Sequence, residues 1–403
     1  MPRNPLTVRR VAALVLRKWP KRALKTWSLW MLHSKRFVRR SPPVCESVKA
    51  WVAQHEGTDA DVLLEACDAS RTPPSTVEGE LASDYLGRLE TSFSEKYLAQ
   101  VHGTRIIGRS GLVILPDGSY AIEPVYTRPI LKRDVDYFDS PPRPVVRKEG
   151  SYFSLLAIWA KDGNYYHWLH DAVLRLYGVL ERLPSEVRYV VPDDLQSFQR
   201  ESLRVLGIQS HQLEFFSGQE IWELDTLYFS PATSNSGSSR SDALEWLRSS
   251  FLAGCGVEKS GGRRRLFLSR RLASYRRTTN EEAVEKLLQR EGFETVMPEK
   301  LSLCEQVELF SQAEAVVGPH GSALTNIVFA PPGCVVVDMI PRAVKKKYVL
   351  WTLAEASGHR YWYFVADSVS KRKSEGRYVT GPLHRDVTIP LAKLELTLDR
   401  ALS

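Results

Sequence analysis

The chain has 403 residues, 43% hydrophobic and 25% charged, the balance of a soluble globular protein with material for two or three cores. Its net charge of +8 is confined to one end: the first 40 residues carry twelve Lys and Arg and no acid, and the remainder holds 43 bases against 47 acids. A body without basic excess argues against nucleic acid as a partner. The five cysteines, Cys45, Cys67, Cys255, Cys304 and Cys334, lack CxxC or Cys/His spacing. That pattern predicts a reduced interior with neither a zinc site nor a disulfide framework.

Within residues 1–40, Val11, Leu14, Trp19, Leu24, Trp27 and Trp30 interleave with the cations. No apolar run reaches the ~18 residues of a transmembrane helix, and residues 11–16 are too short for a signal-peptide core. A basic helix with tryptophans suits an anionic membrane surface, at roughly 1 kcal/mol per Lys or Arg near it. The alternatives are a solvated arm or a helix docked on its own domain or on a partner.

Residues 48–54 and 60–67 have the length of short helices, and Pro73-Pro74 marks a loop. From residue 104 the pattern turns to strands at 105–108, 111–115 and 120–122, with Asp117-Gly118 as a hairpin turn.

Residues 163–184, GNYYHWLHDAVLRLYGVLERLP, predict a helix capped by Asn164. At 100° per residue, Tyr165, Leu169, Ala172 and Leu176 form an apolar stripe, and Asn164, His167, Asp171 and Gly178 lie opposite. His167 and Asp171, four apart, are neighbours: a candidate general base with its orienting carboxylate, or an ordinary contact on a wet face. Strands at 188–191, 213–216 and 226–229 and a helix over 195–206 continue an α/β alternation. Residues 231–241, PATSNSGSSRS, read as a mobile loop, 242–251 as a helix, and 255–262 as a domain boundary.

Past that boundary, Arg263-Arg264-Arg265 leads into a strand at 266–268 and then Ser269-Arg270-Arg271, cations placed to hold an anionic group or simply a basic surface loop. Helices at 280–290 and 303–312 flank a strand at 294–296. Residues 313–341, AEAVVGPHGSALTNIVFAPPGCVVVDMIP, then form a βαβ unit: a strand to Val317, the turn Gly318-Pro319-His320-Gly321, a helix from Ser322 to Ala330, and a strand from Val335. The carboxyl edge of such a sheet is where ligands bind, and exposed N–H groups at a helix start suit a phosphate. The turn is not GxGxxG, GxxxxGK[ST] or GxSxG, which disfavours dinucleotide, P-loop and hydrolase readings. A helix at 349–357 and a strand at 361–365 follow.

Three blocks, NYYHWLHD, LFLSRR and GPHGSALTNIVF, together with HRDVTIP near the end, resemble glycosyltransferase family 61 from about residue 104 onward. The resemblance implies a GT-B architecture, two Rossmann-like domains facing across a cleft, with 41–260 on the acceptor side and 261–403 binding a nucleotide sugar. It implies metal-independent, inverting transfer to a hydroxyl of a glycan or glycolipid, without cofactor. Ser269, Arg270, Arg271, His320, Gly321 and Ser322 would bind the donor, His167 and Asp171 would serve the acceptor hydroxyl, and Asn164 and Trp168 would lie on the acceptor side. The family's eukaryotic members carry a luminal anchor that this arm does not resemble, so a bacterial-type enzyme of cell-surface or capsular polysaccharide synthesis is expected, cytoplasmic and peripheral on the inner membrane face.

A non-catalytic nucleotide-sugar-binding module and another phosphate-handling enzyme on a Rossmann-like fold are the competing readings. If residues 1–40 bind anionic membrane, a chain starting at Ser41 should lose sedimentation with anionic vesicles, and salt should weaken that of the full chain. Equal sedimentation of both would exclude the arm as the membrane contact.

Overall fold

Runs of β-branched residues between turn signals build the C-terminal sheet. Ala313–Pro319 and Val335–Pro341 are buried almost throughout, as strands covered on both faces must be. They pair in parallel, Val316 opposite Val336. The computed structural model describes residues 43–55, 59–123, 143–160, 163–258, 261, 263–344, 348–369 and 385–403. The basic arm and His384 of the HRDVTIP block lie outside the described residues.

Arg264–Leu268 lies between Phe293–Val296 and Ala313–Pro319, parallel to both. Arg360–Ser368 continues the sheet beyond Val335–Pro341. The edge is closed by Val387–Thr388, antiparallel, and by Ser75–Thr76, which arrives from the N-terminal half and pairs with Arg360–Ser368. Helices Glu281–Arg290, Leu303–Ser311, Ser322–Phe329 and Tyr348–Ala356 connect successive strands. Ser302 and Glu305 form a reciprocal capping box at the start of the second of them. A C-terminal helix, Leu391–Leu402, packs on this sheet and was not foreseen.

The N-terminal half builds a mixed sheet of nine described strands. Its centre is Lys96–Ile107, antiparallel to Ile221–Phe229, which in turn runs parallel to Val145–Ser154; Arg188–Pro192 and Leu213–Phe216 extend that parallel side. The Asp-Gly hairpin forms as read, Leu112–Ile114 against Tyr120–Ala121, with Asp117 accepting from Ser119 N–H at 2.8 Å. Val145–Ser154 escaped the sequence reading because VVRKEGSYFS carries three consecutive charges and a glycine instead of an alternating pattern. The helix expected over 60–67 is instead the strand Asp59–Leu64 followed by Cys67–Ser70. Pairing with Lys96–Ile107, Ala60 opposite Ala99, overrides the local preference.

Both sheets belong to one compact unit, residues 44–403, and share a hydrophobic core in which Trp168, Phe251, Phe310, Phe329 and Trp351 are buried. The architecture is therefore mixed α/β with parallel sheets.

The expectation of a disulfide-free interior is corrected. Cys255, closing the helix Ser241–Gly254, is bonded to Cys304 in the first turn of Leu303–Ser311. Sequence spacing hid the pair because the partners are 49 residues apart and meet only when the two helices pack. A loop of that length implies about 4 kcal/mol of chain-entropy stabilisation. Cys304→Ser should accordingly lower unfolding free energy by roughly 2–4 kcal/mol in denaturant titrations, and reductant should do the same to the wild type only. Unchanged midpoints in both cases would show that the bond is not formed.

Candidate active site

Two loops and one irregular helix carry the site residues expected from sequence. Because Arg264–Leu268 and Ala313–Pro319 are neighbouring parallel strands, Phe267 opposite Val317, the segments that follow them leave the sheet side by side. Ser269-Arg270-Arg271 and His320-Gly321-Ser322 are thereby brought together: a Cβ added to Gly321 would run into Arg270 Nη1. Gly321 has an extended backbone, so its missing side chain serves this close approach.

The three side chains of the first loop have different surroundings. Ser269 is buried and donates to the Glu281 carboxylate while accepting from Arg271 N–H at 3.1 Å, so it fastens the turn. Arg271 points away, its guanidinium 2.5 Å from Glu285, where its charge is already neutralised. Both side chains have partners within this part of the fold. Arg270 alone turns toward the second loop. Burial, then the nearby Arg276 cation, lower its pKa to about 10.

In the second loop, His320 N–H donates to Met339 O, and Nδ1 lies 2.7 Å from Asp338 Oδ2. Asp338 is fully buried and also accepts from Tyr361 O–H at 2.7 Å. Two donors on one carboxylate oxygen compensate much of the cost of burying it. They also fix the His320 ring, with Nδ1–H on the carboxylate and Nε2 available. The signal for Asp338 was a lone acid inside the apolar run 335–340. Ser322 opens the helix Ser322–Phe329 and is half-buried.

The predicted 163–184 helix is broken into an α-turn at Tyr165–His167, a π-turn at Trp168–Ala172 and a 3₁₀ segment at Val173–Leu176. Asn164 caps it as expected, accepting from His167 N–H at 3.2 Å. The π-turn, a feature frequent at functional sites, carries Asp171. That residue is 3% exposed and meets His167 Nδ1 at 2.8 Å and His170 Nδ1 at 3.0 Å. His170 Nε2 in turn lies 3.1 Å from Ser239 Oγ. Burial pushes the Asp171 pKa up, but the hydrogen bonds from the two imidazoles outweigh it and bring the carboxyl down to about 2.

The face expected to be wet or to border a cleft is thus partly covered, and the loop expected to be mobile does the covering. In residues 231–241, Thr233, Ser238, Ser239 and Arg240 are buried. Arg71 holds Ser238 at 2.9 Å, and the fully buried Lys96 donates to Thr233 and to the carbonyls of Leu174 and Arg175. Ser236 Oγ approaches His167 Nδ1 at 3.3 Å. Trp168, expected on the acceptor side, is fully buried with its indole donating to Ser202, so it packs the core. The exposed aromatic near His167 is Trp159, 48% exposed, with its ring 6.2 Å away. His170, Ser236 and Trp159 were not singled out from sequence; His170 alone carried a signal, as the i+3 neighbour of His167.

Tyr165 ties the two sides together. Its hydroxyl donates to Asn326 Oδ1 at 2.6 Å, fastening the His167 turn to the helix that begins at Gly321.

Among the described residues no three His, Cys, Asp or Glu side chains gather as a metal site. Asp59 and Asp61 form an Asp-x-Asp pattern, but both are exposed on the edge-paired strand Asp59–Leu64.

Residues 165–337 match the family model Glycosyltransferase 61. The match contains His167, Asp171, the Ser269–Arg271 turn and the His320–Ser322 turn. Over 105 residues, 25% of the chain, the sequence is 33% identical to "Xylan glycosyltransferase MUCI21" of Arabidopsis thaliana, and it spans 21% of that protein's length. Among solved structures, the dodecameric iron-containing heptosyltransferase TibC, in complex with ADP-D-beta-D-heptose, aligns over 69% of this chain and 79% of its own, at 13% identity and a TM-score of 0.21.

The Asp171 geometry gives a signed pH dependence. Its depressed pKa adds stability that is fully present above the ordinary value of 3.8 and is lost as pH falls toward about 2. The stability gap between wild type and Asp171→Asn should therefore shrink by about 2 kcal/mol across that window. A gap independent of pH would mean that Asp171 is not ionised between the imidazoles.

Proposed function

We propose that this protein is a glycosyltransferase of the family-61 type, moving a sugar from a nucleotide-sugar donor to a hydroxyl of a glycan or glycolipid. The observation that carries the reading is the pairing of a half-exposed imidazole on a buried, ionised carboxylate with two anion-suited loops, joined through Tyr165 and Asn326. The family match across the same residues supports it.

In this reading His167 is the base and Asp171 its orienting partner. A carboxyl with a pKa near 2, buried between His167 and His170, is a poor proton acceptor at neutral pH. Holding Nδ1–H, it leaves His167 Nε2 with its lone pair for the acceptor proton. The acceptor oxygen bonds to the anomeric carbon as the bond to the diphosphate breaks, and the configuration inverts. The departing charge is met by Arg270, by His320 when both its ring nitrogens carry protons, and by the N–H groups opening Ser322–Phe329. These groups supply what a divalent ion would, and we take the transfer to be metal-independent, within a GT-B-like arrangement of the two sheets.

The xylan named for the plant relative suggests a polysaccharide hydroxyl as acceptor, and Trp159 beside His167 offers an apolar face for a sugar ring. Where the protein works is read from its sulfur chemistry. The Cys255–Cys304 bond favours maturation in an oxidising compartment over the cytoplasmic face expected from cysteine spacing.

His167→Ala should lower the transfer rate by roughly 10²- to 10⁴-fold while nucleotide-sugar affinity stays close to wild type. Asp171→Asn should cost less, because it misorients the ring without deleting it. Full transfer by both variants would move the base elsewhere; absence of transfer and donor hydrolysis in the wild type, with donor bound, would leave a binding module.

A further inference from the structure

The loop that follows Arg271 contains the one residue other than glycine, among the described residues, with a left-handed backbone: Arg276, φ 55°. L residues avoid this region because Cβ crowds the following carbonyl. Here the neighbouring structure imposes it. Arg270 Nε donates to the Arg276 carbonyl at 3.0 Å and Nη2 to the Tyr275 carbonyl at 3.0 Å, so two arms of one guanidinium clamp the strained turn. Arg270 Nη1 is the arm directed at Gly321.

The Arg276 side chain is handled differently from its neighbours. Arg264, Arg265 and Arg271 each end on a glutamate, at 2.5, 2.6 and 2.5 Å. Arg276 has no carboxylate within ion-pair distance among the described residues, and its Nε is buried without a hydrogen-bond partner. Its guanidinium sits 5.2 Å from the centre of the Tyr275 ring, and that of Arg270 sits 5.7 Å from the same ring. Two cations gathered about one ring repel each other, and a donor buried without an acceptor carries a desolvation cost. The repulsion and the unsatisfied donor are both relieved by an anion with several oxygens, and backbone strain of this kind concentrates at ligand clamps.

We infer that Arg276 is a second phosphate-binding residue of this site, taking the diphosphate of a nucleotide sugar beside Arg270, which anchors the loop and offers only Nη1. The inference rests on the donor reading above. It divides labour between the arginines: Arg270 builds the turn, and Arg276 gives its whole fork to the ligand.

The test uses the full chain and calorimetry with UDP, GDP, ADP and CDP, their monophosphates and their nucleosides. R276G removes the cation and also removes the backbone strain, so it separates binding from folding. For whichever diphosphate the wild type binds, R276G should weaken affinity tenfold or more, leave the matching nucleoside within twofold, and melt at the wild-type temperature or above it. R276K should recover part of the affinity. Diphosphate affinity within twofold of wild type would overturn the inference, as would a lower melting temperature accompanying equal losses for diphosphate and nucleoside, the result of a merely structural role. A wild type that binds none of the diphosphates would instead remove the donor reading itself.

Discussion

Parallel pairing of Arg264–Leu268 with Ala313–Pro319 is the constraint on which the site depends. In a parallel sheet every strand ends at the same edge, so the loops leaving these two strands meet without any contact needing to be built for that purpose. The fully buried strand core then permits the one expensive feature placed on it. Asp338 is buried inside an apolar strand with Tyr361 and His320 both on its Oδ2, while its Oδ1 is buried without a hydrogen-bond partner. The same bond orients His320.

The N-terminal half uses the same device with different parts. Asp171 is buried and meets an imidazole with each of its oxygens. Here the carboxylate sits on a π-turn instead of a strand, and the Ser-rich loop meets both imidazoles that hold it. That loop is ordered by buried cations: Arg71 and Lys96 donate to its hydroxyls, and Lys96 also ends the 3₁₀ segment by taking two carbonyls. A lysine buried with only neutral partners is costly, and desolvation drives its pKa well below the usual range. It ties the His167 segment to the Ser-rich loop at the end away from His167.

The halves are joined by specific links as well as by shared core. The Tyr165–Asn326 hydrogen bond, the Cys255–Cys304 bond and the pairing of Ser75–Thr76 with Arg360–Ser368 each connect residues far apart in sequence. Glu201 adds a fourth, accepting from Leu303 N–H at 2.8 Å at the start of the helix that carries Cys304. These links hold the His167 segment of one sheet and the arginine loops of the other within one unit.

Sequence by itself determined the elements whose signals are local. The Asp-Gly hairpin, the Asn164 cap, the valine-rich strands and the His320 turn follow from turn chemistry, side-chain capping and burial pattern within a few residues. The His167–Asp171 pair was legible because helical spacing brings i and i+4 together under any fold. What only the tertiary structure decided was each group's environment. Arg271 was spent on Glu285, Ser269 on Glu281 and Trp168 on the core, because their neighbours come from other segments. Equally, several residues of 231–241 packed into the interior, residues 59–64 became a strand, and two cysteines 49 residues apart were joined. In each case the deciding partner lies many residues away, and a linear pattern records which residues are present but not the burial, pairing and charge that a distant segment brings to them.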